Sequence, residues 1–206
     1  TFDEGQETTI GFEVSAELNE LSFLDVELGW TYGTPAAWTN GTGLDNILQL
    51  TYGDTSDIIF SYAVRTETGS SAGAVYSKTL PSDAGSYWVR AYYPGNVASG
   101  YGTAFAYAEF TISPLGVALP ALDTAESTYD VDVYNGTPLT NNVNGYVSGT
   151  MTVSSTATIA TSTEGGFTVC VQTSNAGEYT VTITLTDDNY VWADEAADRD
   201  AVILTW

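Results

Sequence analysis

Apolar residues at every second position, in runs too short to be anything but strands, constrain this chain more than any other feature. Ile10, Phe12, Val14, Ala16 and Leu18 alternate with polar neighbours, and Leu24, Val26 and Leu28 do the same before Trp30 and a Gly turn. Period two puts one set of side chains on one face of a pleated strand. The runs end on turn-forming residues such as Tyr52-Gly53-Asp54 and Pro94-Gly95-Asn96. No window carries a long apolar stripe at helical spacing, so the expected class is all-β with very little helix. Plentiful Thr, Val, Tyr and Ile suit a pleated, half-buried surface.

Two stretches are nearly the same sentence. "PSDAGSYWVRAYY" runs from Pro81 to Tyr93, and "TSNAGEYTVTITL" from Thr173 to Leu185. Their tyrosines, Tyr87 and Tyr179, are 92 residues apart (179 − 87), close to one small β-sandwich of roughly 100 residues. A second echo keeps the same order: Tyr32-Gly33-Thr34-Pro35 returns as Tyr134-Asn135-Gly136-Thr137-Pro138. Tandem duplication of one fold follows, with a boundary near Ser113. Residues 1–113 form an immunoglobulin-like β-sandwich with an N-terminal strand extension, and residues 114–206 form a second one. The stretch "SPLGVALPALDTAEST" loses the alternation and reads as the connection. In each copy Asp83 or Asn175 turns the chain, Gly85 or Gly177 permits the turn, and a Tyr opens a strand. Immunoglobulin-like sandwiches place a Tyr there whose hydroxyl bonds back to the backbone. The six residues are therefore expected to be structural.

The chain has 26 Asp and Glu against four Lys and Arg, a net charge of −22. A small soluble domain is suited by a magnitude of about 2–8. Phosphate binding needs Lys and Arg, so nucleic acid and anionic membranes are excluded as partners. No apolar run reaches the length of a membrane helix, so no membrane insertion is expected. With no His, neither a Ser–His–Asp nor a Cys–His arrangement can be built, and no zinc spacing exists. Paired carboxylates are the only recognisable catalytic route left, and an enzyme is not expected. Cys170, the single cysteine, alternates with apolar neighbours in "FTVCVQT" and reads as a small buried hydrophobe. Lys78, beside the DAG turn, reads as an exposed edge residue.

From Leu28 onward, the set "GWTYGTP…LTYGD…FSYAVR…YSKTLPSDAGSYWVRAYY…FAYAEFTI" resembles repeats found in tandem on large surface proteins of Gram-positive bacteria. "YNGTPLT…AGEYTVTITLTDDNYVWADEAADRDAVILTW" resembles a companion repeat type on such proteins. Trp88 and Arg90 depart from the pattern, standing where those strands are often Thr-rich. The resemblance implies an extracellular, cell-surface stalk or adhesin segment without shared catalytic residues. Its partners would be neighbouring repeats and, at an adhesive tip, host or cell-wall glycan or protein. A chain opening on Thr1 also reads as a piece of a longer protein.

Two candidate sites stand out. The stretch "TDDNYVWADEAADRD" offers Asp187, Asp188, Asp194, Glu195, Asp198 and Asp200 as candidate calcium ligands, since calcium takes several oxygens in flexible geometry. The spacing matches no EF-hand loop, and a solvated acidic hairpin is the competing reading; no cofactor is otherwise implied. Trp38, Tyr92, Tyr93, Tyr101 and Tyr107 are candidate rings for stacking on sugars, against the alternative that they are divided between core and edge.

Overall fold

A computed structural model describes residues 18–36, 47–66, 68–122, 139–162, 168–173, 175, 177–194 and 197–205. The chain is all-β, with several sheets of the kind that build a β-sandwich and no α-helix among the described residues. None of these residues forms a helix long and apolar enough to cross a membrane. The strand expected over Ile10–Leu18 and the second Y(N)GTP copy lie outside the described residues, Leu18 excepted, which is exposed.

Contacts divide the chain into two compact units that are not simple halves. The first comprises Thr1–Gly29, Ala36–Pro81 and Ser86–Phe110; the second comprises Trp30–Pro35, Ser82–Gly85 and Thr111–Trp206. The first Tyr-Gly-Thr-Pro turn and the DAG turn thus belong with the second unit.

In the first unit, β1 (Leu21–Phe23) pairs with β3 (Leu48–Leu50), and β4 (Ile59–Val64) pairs antiparallel with β5 (Gly85–Tyr93). β6 (Ala104–Ser113) lies on the other side of β5 and runs on into the second unit at Thr111. Alternation sorts the side chains of these strands cleanly. Tyr87, Val89, Ala91 and Tyr93 are buried from β5, and Ala104, Ala106 and Phe110 from β6, while Phe105, Tyr107 and Glu109 face solvent. Tyr87 stacks on Phe110 with centroids 5.3 Å apart. Tyr93 reaches Gly53, whose φ of +109° favours glycine, and an added Cβ there would overlap the phenol. Asn19, buried without being apolar, donates to the Tyr52 carbonyl at 2.7 Å and accepts from the Tyr52 N–H at 3.0 Å.

In the second unit two sheets share one core, as in a β-sandwich. One has β10 (Met151–Ser155), β13 (Thr180–Leu185) and β15 (Val202–Thr205) in that order. The other runs β11 (Thr158–Ser162), β12 (Thr168–Thr173), β9 (Leu139–Asn144), β8 (Ala121–Leu122). Val143, Val169 and Val171 from the second sheet share one core with Met151, Val181, Ile183 and Leu185 from the first. Trp192, on β14 (Tyr190–Trp192), completes it at 1% exposure. The indole N–H is satisfied by the Asp200 carbonyl at 2.7 Å, as a buried Trp requires.

The stretch read as a connection carries strands. β7 (Leu115–Val117) pairs in parallel with β14, and β8 pairs with β9. Two or three residues are too few for period two to register, which is why the sequence looks irregular there. Similarly, β2 (Trp30–Thr31) is a two-residue parallel partner of Ile112 and Ser113, and the alternation through Val26 ends in a bend rather than a long strand.

Candidate functional site

The acidic hairpin folds around a cation supplied by the chain itself. Arg199 donates through Nη1 to the carbonyls of Asp187 (2.6 Å) and Tyr190 (2.7 Å), and its Nη2 lies 3.4 Å from the Leu185 carbonyl. The same Nη2 stands 3.0 Å from Asp188 Oδ1, on a carboxylate that is 99% exposed. Three of the carboxylates meanwhile serve as turn caps. Asp187 Oδ1 accepts from the Asn189 N–H at 2.9 Å, Asp194 Oδ1 from the Ala197 N–H at 2.9 Å, and Asp198 Oδ1 from the Asp200 N–H at 3.3 Å. Short polar side chains bonding their own backbone two or three residues ahead are what such turns use. Among the described residues no group of three acidic side chains is gathered as a metal site would gather them. Glu195 lies outside those residues.

Asn189 ties this hairpin into the second unit. Its side-chain oxygen accepts from the Ala84 N–H of the DAG turn at 2.5 Å, and its carbonyl accepts from the Leu115 N–H at 2.9 Å. Tyr32, from the first Tyr-Gly-Thr-Pro turn, meets Tyr190 edge-on at 5.5 Å. Burial, then Tyr190, then the charges of Asp187 and Asp83 raise the Tyr32 phenol above its ordinary value.

The Tyr179 hydroxyl donates to the Asn175 carbonyl at 2.8 Å, four residues upstream. Tyr87 is buried as a ring against Phe110, while its Asp83–Gly85 turn is held by Asn189. Gly85 opens β5. Gly177 lies outside the left-handed region, and an added Cβ would meet the Tyr179 ring at an ordinary 3.6 Å.

The candidate sugar-stacking rings do not form one platform. Tyr93 is core at 1% exposure. Tyr101 stacks on Tyr52 at 5.3 Å, and Trp38 lies outside the described residues. Tyr92 and Tyr107 do share the outward face of β5 and β6, and there the structure adds residues that the sequence did not single out. Tyr92 stacks on Phe105 at 4.7 Å, and Tyr107 tilts against Tyr76 at 6.2 Å. The Arg90 guanidinium lies 4.7 Å from the Tyr76 centroid, with Nε donating to Ser61 Oγ at 3.0 Å. Burial and the neighbouring Tyr107 raise the Tyr76 phenol, and Arg90 opposes them. Arg65 sits over Trp88 at 5.6 Å and pairs with Glu109 at 3.2 Å. Two of the four cationic residues of a −22 chain are thus spent on one aromatic face. The period-two placement of Trp88, Arg90 and Tyr92 was the signal for it. Lys78 is exposed.

Against protein-family models the chain has no match, and no curated protein matches it.

Proposed function

We propose that this chain is a non-catalytic module of a bacterial cell-surface protein, made of two tandem immunoglobulin-like units and acting as a stalk or spacer. The observation that carries the reading is the Tyr179–Asn175 contact, made immediately before β13 enters the core shared by two sheets. A corner tyrosine bonding a carbonyl a few residues upstream is the device by which immunoglobulin-like sandwiches pin the passage between sheets. The motif resemblance to tandem Gram-positive surface repeats points the same way, as does the strongly acidic surface, which keeps neighbouring molecules apart. In this role the units act as compact beads, with rigidity drawn from apolar cores, since one cysteine leaves no intramolecular disulfide.

The test is immunolabelling of intact, unpermeabilised cells of the source organism with antibodies raised against the purified 206-residue protein. Labelling of intact cells is expected. Labelling that appears only after permeabilisation would overturn the proposal.

A further inference from the structure

At one end of β4 and β5 in the first unit, a concavity of about 500 Å³ opens between the strands and the loop that follows β4. Val64, Thr66, Ser70, Gly73, Val75 and Trp88 line it. The volume falls within the range of small-ligand sites, roughly 300–1,000 Å³. Its chemistry is mixed in a particular way. Val64 and Val75 leave branched apolar side chains 70% and 93% exposed, and the indole adds a third apolar wall. Thr66 and Ser70 bring hydroxyls to the same space.

Beside the indole stands the Arg65–Glu109 pair, whose two side chains both reach solvent. A guanidinium has five N–H donors and a carboxylate about four acceptor positions, so one salt bridge leaves both with capacity to spare. Donor and acceptor side by side match vicinal hydroxyls, each of which gives one hydrogen bond and accepts others. Arg65 and Glu109 are not among the lining residues, so a ligand with hydroxyls around its rim and C–H groups on its face would cover the exposed valines and meet the ion pair only where it extends past the indole. A pyranose ring has that construction.

Charge then chooses among saccharides. Arg65 is already neutralised by Glu109, and Arg90 is engaged by Ser61 and Tyr76. Around them the chain carries −22, so a polyanionic glycan meets repulsion with no dedicated cation to offset it. We propose that the Trp88 cavity is a binding subsite for a neutral saccharide. The assignment goes beyond the stalk reading and does not rest on where the protein resides.

The test is isothermal titration calorimetry of the whole 206-residue protein with cellohexaose, xylohexaose and chitohexaose, and with hexagalacturonate as the charged control. At least one neutral oligosaccharide is expected to bind with a Kd of roughly 1 mM or tighter, with the control weaker by about tenfold or more. Two variants report on the site. Gly73 is outside the left-handed region and an added Cβ would find only Ser70 Oγ, at 3.7 Å, so Gly73→Phe fills the cavity from a tolerant position. Val75→Asp removes an apolar wall at a side chain too exposed to hold the fold. Each should weaken binding about tenfold or more while circular dichroism and melting temperature stay unchanged. Binding by none of the neutral probes, tightest binding of hexagalacturonate, or neutral binding that survives both substitutions would overturn the assignment. All measurements use purified protein, so their failure leaves the question of surface exposure untouched.

Discussion

Replacing Arg199 by Met should destabilise the second unit far more than removing its ion-pair partner. The substitution keeps an unbranched apolar stem and deletes two short charge-assisted bonds, to the Asp187 and Tyr190 carbonyls at 2.6 and 2.7 Å. Hydrogen bonds to a charged group contribute roughly 1.5–3 kcal/mol each. The side chain is 31% exposed, so water can take up part of what is lost, which brings the expected cost to about 2–3 kcal/mol. For a unit of this size that is a fall in melting temperature of the order of 10 °C or more. Asp188→Ala removes a carboxylate that is 99% exposed, and its cost should stay below about 0.5 kcal/mol. Urea denaturation followed by tryptophan fluorescence measures both. Arg199→Lys separates geometry from charge: a lysine keeps the cation but not the planar fork, and should recover less than half of the loss. Full rescue by lysine would show that Arg199 acts only by lowering the net negative charge. Equal losses for Arg199→Met and Asp188→Ala would place the stability in the ion pair. Either result refutes the reasoning.

Two further outcomes are expected from stability measurements. Asn141 is 1% exposed, and among the described residues neither polar atom of its side chain has a hydrogen-bond partner; Asn141→Val, opposite Val171 in the register, should stabilise the protein by about 1–3 kcal/mol in urea denaturation, and a loss would mean that the amide is satisfied. Asp54 caps the turn at Thr55–Asp57 by accepting from the Ser56 N–H at 2.8 Å, which lowers its carboxyl below the ordinary 3.8. A depressed folded value gives stability that is present above about pH 3.8 and lost as pH falls through the folded value. Asp54→Asn keeps the cap and should flatten that part of the acid limb in a melting-temperature profile from pH 5 to pH 2; an unchanged profile would count against the cap as its cause.

The long strands were legible because alternation and turn residues agreed over them. Tyr87 and Tyr179 are each expected to open a strand, and the structure has β5 at Gly85–Tyr93 and β13 at Thr180–Leu185. The short parallel partners β2 and β7 were not legible, because two or three residues carry no period and their pairing is set by distant chain. Nor was the membership of the DAG turn. The Ala84 N–H is taken by Asn189, 105 residues away in the chain. The internal bonding of the acidic hairpin was not legible for a related reason. Carboxylate density is visible in sequence, whereas the use of Asp187, Asp194 and Asp198 as local caps, and of Arg199 as the central cation, depends on folded geometry. The outward alternation of Trp88, Arg90 and Tyr92 was available to a reader of β5 alone. What sequence lacked was the loop at Ser70–Val75 that turns one end of that face into a cavity.

Shaving intact cells with a Glu-specific protease, followed by mass spectrometry of the released peptides, tests the surface-module account most directly. The account predicts that peptides of this chain are released while cells remain intact and cytosolic markers stay inside. Release only after lysis would contradict it.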